Sequence, residues 1–213
     1  MHQINEVAEN VAKSLLQVKA VKLSPQKPFT WASGWKSPIY CDNRLTLSYP
    51  QIRTYIRQEF VKMIQEEIGH IDLIVGVATG GIAIGALIAQ DMGLPFAYVR
   101  SSQKEHGLTN QIEGVVESGQ RAVVIEDLIS TGGSSMKAVE ALRAVDVNVK
   151  AMIAIFDYGF DVAAKRFKDA KCRMLSLSNY DSLLDYAKSS DLLQKDDYEE
   201  LQKWRIDPAN WKK

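Results

Sequence analysis

The chain has 213 residues, 46% hydrophobic and 24% charged, close to the about 45–50% apolar and about 25% charged usage of globular proteins, which excludes disordered, collagen-like and coiled-coil architectures. Its 26 Lys and Arg balance 26 Asp and Glu, so no net field draws it to nucleic acid or an anionic membrane, and an anionic ligand has to be met by locally placed cations. Two cysteines without a CxxC partner and three dispersed histidines make neither a disulfide framework nor a zinc set. No basic, apolar leader opens the sequence and no run reaches roughly 18–20 apolar residues, so the expectation is a cytoplasmic enzyme or binding protein, one domain over 1–213.

Ile4, Val7, Ala8, Val11, Leu15 and Val18 recur at helical spacing and predict an amphipathic first helix. From Lys22 to Asn43, Pro25, Pro28, Gly34 and Pro38 stand among Phe29, Trp31, Trp35, Ile39 and Tyr40, which suits short strands and turns around an aromatic packing cluster. Ser48-Tyr49-Pro50 reads as a cap and first-turn proline for a helix carrying Ile52, Tyr55, Ile56, Phe60, Met63 and Ile64.

A regular alternation then begins. Ile71–Val77 is an apolar strand ending in Thr79-Gly80-Gly81, with a small-residue helix after it; Pro95–Val99, Ala122–Ile125, Lys150–Phe156 and Arg173–Leu177 are four more strands, and helical patterns follow the last three. Nearly continuous apolar strands alternating with helices predict an α/β fold, a parallel twisted sheet flanked by helices. Ligands of such sheets bind beyond the carboxyl ends of the strands. Residues 100–114 break the rhythm as a long polar stretch with two glycines, and loops of that length in a compact domain are usually lids or binding loops.

The sharpest local signal is VVIEDLISTGGSS, Val123 to Ser135. A buried strand delivers the adjacent carboxylates of Glu126 and Asp127, and the turn Ser130-Thr131-Gly132-Gly133 then starts a helix. Backbone N–H groups and the helix dipole at such a turn favour a phosphate. The carboxylates suit vicinal sugar hydroxyls or a Mg²⁺ ion, so the pattern points to a phosphorylated sugar. No GxxxxGK[ST] loop and no strand-to-helix GxGxxG is present, which disfavours an ATPase or a dinucleotide enzyme.

This segment resembles the signature of the type I phosphoribosyltransferases. FTWASGWKSPIYCDNR (Phe29–Arg44) resembles the N-terminal hood of the orotate phosphoribosyltransferases, and Tyr98 to Gly114 their mobile catalytic loop; Lys203-Trp204-Arg205 with Asp207-Pro208-Ala209 resembles one branch of them. The resemblance implies the type I fold with a small hood at about 1–48 and a catalytic loop at about 100–114. It implies a pentosyltransferase of UMP biosynthesis that converts orotate and 5-phosphoribosyl 1-diphosphate to orotidine 5′-phosphate and diphosphate with Mg²⁺. It also implies a homodimer whose loop reaches the neighbouring site, with no nucleic acid or membrane partner.

By the same matching, Lys104, Arg100 and His106 close over the diphosphate, and Asp127 and Glu126 hold the ribose hydroxyls. Thr131, Gly132, Gly133 and Ser134 cradle the 5′-phosphate, Glu126, Asp127, Leu128, Ile129 and Ser130 complete the phosphoribosyl diphosphate site on that strand and turn, and Thr79 and Gly80 offer backbone N–H groups to the diphosphate. Ser130, Tyr40 and Lys36 meet orotate. No direct protein ligand for the metal is assigned; Mg²⁺ is carried mainly by the substrate's diphosphate and ribose. One well-known branch has cations where this chain has Ala32, Gly80, Ser101 and Tyr158, and Lys36 and Arg44 are the substitutes at hand. Two competing expectations are a purine-type phosphoribosyltransferase, and a non-catalytic sensor of 5-phosphoribosyl 1-diphosphate, which would lose Lys104 and gain a basic surface.

Overall fold

The computed structural model describes residues 2–31, 34–100 and 111–212. The first apolar stripe forms helix α1 (His2–Gln17), with Ala8, Val11, Ala12 and Leu15 buried along one face at three- and four-residue spacings. Four short strands follow: β1 (Val21–Leu23), β2 (Phe29–Thr30), β3 (Lys36–Ser37) and β4 (Ile39–Cys41). β1 pairs antiparallel with β4, and β2 with β3. Pro25, Pro28 and Pro38 keep these ladders short, because proline has no N–H to donate.

A 3₁₀ turn, Asn43–Ser48, leads to α2 (Pro50–Met63), which continues as a π turn, Ile64–Ile68. The expected serine cap is corrected here: Tyr49 holds the N-cap position with no side-chain hydrogen bond, and Ser48 closes the 3₁₀ turn. Pro50 is enough to start the helix, since its φ is already helical and its missing N–H would have had no intrahelical partner.

The remaining elements are β5 (Leu73–Val77), α3 (Gly80–Met92), β6 (Phe96–Val99), β7 (Ile112–Glu113), β8 (Arg121–Ile129), α4 (Gly133–Arg143), β9 (Asn148–Asp157), α5 (Asp161–Asp169), β10 (Met174–Asn179), α6 (Tyr180–Ser189) and α7 (Lys195–Ile206). The central sheet has the order β10-β9-β8-β5-β6-β7. All neighbours are parallel except β6 and β7. The five expected strands are present, and β7 is added within the stretch expected to be loop: Glu113 and Ile112 pair with Tyr98 and Val99. Two residues are too few to show a strand period.

Alternate residues of the central strands feed two cores, as a pleated strand requires. Val123, Ile125 and Ile74 face α1, α2, α3, α6 and α7; Val124, Leu73 and Val75 face α4 and α5. From β5 the chain moves to β6 on one side, whereas β8 lies on the other. That reversal opens a crevice at the carboxyl ends of β5 and β8, the place where open α/β sheets bind ligands.

Candidate active site

Glu126 and Asp127 lie on β8, which runs past Ile125, the last residue it pairs with β5. Beyond that point the β5 side of the strand is open, and the buried Asn43 of the 3₁₀ turn fills it by donating from Nδ2 to the Asp127 carbonyl at 2.6 Å. The Asn43 Oδ1 in turn accepts from the Cys41 thiol at 3.1 Å. A single amide thus ties the hood to the strand that carries both carboxylates.

The Glu126 carboxyl is enclosed: Oε1 accepts from the Asp127 backbone N–H and Oε2 from the Ser135 hydroxyl, each at 3.2 Å. Burial, and then the negative charge of Asp127, pushes Glu126 up to about 9, so it is neutral at pH 7. Burial also raises Asp127, opposed by its hydrogen bond with Glu126 and the positive charge of Arg44. Two carboxyls this close and this buried do not readily ionise together. The Asp127 side chain lies directly over Gly80 at the start of α3, where a Cβ would overlap its carboxyl. Only glycine permits that approach.

A cleft of about 400 Å³ surrounds the pair. It gathers Thr79, Gly80, Glu126, Asp127, Leu128 and Ser134 from the expected set, together with Cys41, Asp42, Ala78 and Arg44. Arg44 grips Asp42 in a two-pronged ion pair, Nε to Oδ1 at 2.6 Å and Nη2 to Oδ2 at 2.9 Å. That contact holds the Asp42 carboxyl below its ordinary value. Burial, with Asp127 and Asp42 nearby, pushes the Cys41 thiol well up, so it stays protonated and poorly nucleophilic.

Next to the cleft, sharing Cys41 and Leu128 with it, is a mainly apolar recess of about 250 Å³ lined by Thr30, Trp31, Tyr40, Ser130 and Tyr158 as well. Lys36 stands beside it, its Nζ donating to the Thr30 hydroxyl at 3.0 Å. Tyr158 is buried among Trp31, Phe160 and Trp204, at ring separations of 5.3, 5.5 and 5.8 Å, and burial raises its phenol well above the ordinary value. It is part of the recess wall rather than a replacement cation. The aromatic cluster expected around Phe29, Trp31, Trp35 and Tyr40 exists as the pairs Phe29–Tyr40 and Trp31–Trp35. Trp31 extends it to Trp204 of α7, whose indole donates to the Lys36 carbonyl at 3.2 Å.

The Thr131-Gly132-Gly133 turn forms the N-terminus of α4, with Gly132 left-handed at φ 72° as the cap. The first N–H groups of a helix have no intrahelical partner and are available to an anion. Ile129 turns its side chain into the core, and its carbonyl accepts from the Tyr158 N–H at 3.1 Å. Arg100 follows β6 and pairs with Glu113 of β7, Nε to Oε1 at 3.3 Å. Lys104 and His106 lie outside the described residues, as do Ala32 and Ser101.

Among the described residues, no group of three or more His, Cys, Asp or Glu side chains converges as a metal-ligand set. No described helix is long and apolar enough to cross a membrane. Asn43 and Asp42 are site residues that sequence reasoning left unassigned, whereas Arg44, expected as a substitute cation, does line the cleft and is paired there with Asp42. The signal for Asn43 and Asp42 was present, since both stand inside the hood segment, but nothing local shows which strand they meet.

Residues 48–186 match the family described as a phosphoribosyl transferase domain. The chain is 54% identical over 200 residues to the orotate phosphoribosyltransferase of Phocaeicola vulgatus, covering 94% of each. Among solved structures it is similar to the orotate phosphoribosyltransferase of Aeropyrum pernix, with TM-score 0.75 and 28% identity over 84% of this chain and 98% of that one. It is also similar to Leishmania donovani UMP synthase, with TM-score 0.77 and 26% identity over 93% of this chain and 42% of that longer protein.

Proposed function

The chain belongs to the phosphoribosyltransferase family and, within it, to the orotate phosphoribosyltransferases; from that premise we propose how its residues divide the work. The enzyme joins a ring nitrogen of orotate to C1 of 5-phosphoribosyl 1-diphosphate. The C1–oxygen bond breaks, its electron pair leaves with diphosphate, the ring nitrogen gives up its proton to solvent, and orotidine 5′-phosphate is formed for UMP synthesis. The observation that carries the assignment of roles is that the Glu126–Asp127 pair and Ser134 of the turn line one cleft, with the aromatic recess and Ser130 next to it.

The turn Ser130 to Ser134 holds the 5′-phosphate, with backbone N–H groups and the α4 dipole supplying the positive field. Asp127 accepts from a ribose hydroxyl, and neutral Glu126 supports it. As the bond to diphosphate stretches and positive charge grows on the sugar ring, the Asp127 carboxylate lies beneath it and stabilises it. Thr79 and Gly80 present backbone N–H groups to the diphosphate. Lys104, with Arg100 and His106, closes over the departing diphosphate and excludes water. Orotate occupies the recess against Tyr40 and Ser130, with Lys36 at its mouth to meet the carboxylate.

When bound with the substrate, Mg²⁺ would neutralise diphosphate charge. Of the three acidic side chains that line the cleft, Asp42 is taken up by Arg44, and Glu126 with Asp127 would suit an ion whose other ligands come from diphosphate and ribose. The family resemblance further supports a cytoplasmic homodimer in which Lys104 of one subunit serves its neighbour's cleft.

The test follows loss of orotate absorbance with purified protein, 5-phosphoribosyl 1-diphosphate and Mg²⁺. Loss that stops with chelator and with Lys104→Ala supports the assignment. Turnover of adenine or xanthine in place of orotate would overturn the base assignment, and full activity of Lys104→Ala would overturn the loop's role.

A further inference from the structure

The phosphate turn does not hold its shape alone. Helix α5 presses Ala163, Arg166 and Phe167 against it, residues spaced i, i+3 and i+4 and therefore on one face. A Cβ on Gly132 would come within 2.9 Å of the Phe167 ring and 3.7 Å of Ala163. Arg166 donates from Nη1 to the Thr131 carbonyl at 2.7 Å, and the same nitrogen lies 3.0 Å from where a Cβ on Gly133 would stand. Its guanidinium borders an outer groove with Gly133, Met136 and Lys165, whereas Ser134 faces the cleft.

In a trans peptide the C=O and the following N–H point in opposite directions. Drawing the Thr131 carbonyl outward onto Arg166 therefore aims the Gly132 N–H inward. A cation on the carbonyl also polarises that peptide and strengthens the N–H as a donor.

We propose that Arg166 is a positioning residue for the 5′-phosphate cradle, acting from behind the turn through the Thr131 carbonyl. The inference rests on the assignment of residues 130–134 to the 5′-phosphate. It makes the affinity for the phosphorylated sugar, rather than the chemical step or the base, the quantity that Arg166 controls.

The experiment compares Arg166→Met, Arg166→Lys and Ser134→Ala, the last lying in the cradle itself, by steady-state kinetics and by inhibition with inorganic phosphate. Replacing a charged donor to a carbonyl with methionine should raise KM for 5-phosphoribosyl 1-diphosphate and weaken phosphate inhibition about tenfold. KM for orotate and kcat should stay close to wild type, and the lysine variant should recover most of the loss. Wild-type phosphate inhibition in Arg166→Met, or an equal rise in both KM values that lysine does not restore, overturns the inference. If Ser134→Ala alone weakens phosphate binding, the cradle stands and only the role of Arg166 falls. If neither variant changes it, the cradle assignment falls as well.

Discussion

Replacing Asn43 by alanine removes a 2.6 Å hydrogen bond to the Asp127 carbonyl at the point where β8 has run beyond its pairing with β5. The amide is buried, so no bulk water takes its place, and a buried acceptor left without a donor costs about 1–3 kcal/mol. The weaker bond from the Cys41 thiol is lost at the same time, which puts the expected destabilisation at about 2 kcal/mol. At about 2–4 °C per kcal/mol for a chain of this size, the melting midpoint should fall by about 4–8 °C.

Activity should fall further than stability alone accounts for, because Asn43 fixes the strand that carries Asp127. Misplacement by about 1 Å costs up to about a hundredfold in rate, and a partial loosening should cost about tenfold in kcat/KM. Urea unfolding with the orotate absorbance assay reads both quantities, with Cys41→Ala as the control that keeps the amide. A midpoint within about 0.5 kcal/mol of wild type, the range of a neutral surface change, together with unchanged kcat/KM would refute the reasoning. The Asp127 carbonyl would then be shown to hold its place without Asn43.

Lys104→Ala should lower kcat about 10²–10³-fold, the scale of losing one group that stabilises transition-state charge, with no change in the urea midpoint; normal kcat would remove it from the reaction. Glu126→Gln should change the pH dependence of stability. Glu126 is raised by burial from 4.5 to about 9, so the folded state holds a proton that the unfolded state has lost. Wild-type stability from this group is present below pH 4.5 and declines as pH rises toward 9. The glutamine variant lacks that decline and should gain on wild type across the window, by up to about 1.4 kcal/mol per pH unit; parallel profiles would mean an ionised Glu126. Trp204→Ala should destabilise the fold by about 3–5 kcal/mol and raise KM for orotate more than for 5-phosphoribosyl 1-diphosphate, because Trp204 supports Trp31 and the Lys36 backbone. An equal effect on both KM values would separate the aromatic cluster from the base recess.

Much of this molecule is legible without coordinates wherever the information is local. The five parallel strands announce themselves as short apolar runs, since a strand covered on both faces has no polar side to show. Val123 to Ser135 names its own chemistry, because strand, carboxylates, glycine turn and helix start are consecutive in the chain. The short strand β7 and the uncapped start of α2 escaped for local reasons too: two residues carry no period, and a proline can replace a cap.

What only the tertiary structure decided is which distant residues meet. Asn43 bonds Asp127 across 84 positions, Arg166 reaches Thr131 across 35, and Trp204 reaches Lys36 across 168. Each pairing depends on the strand order and on which helix covers which face, and neighbours in sequence do not encode either. The residue types of the cleft were therefore set by the sequence, while the reason Asp127 stands where it does, with Gly80 beneath it and Asn43 behind it, exists only once β5 and β8 lie side by side.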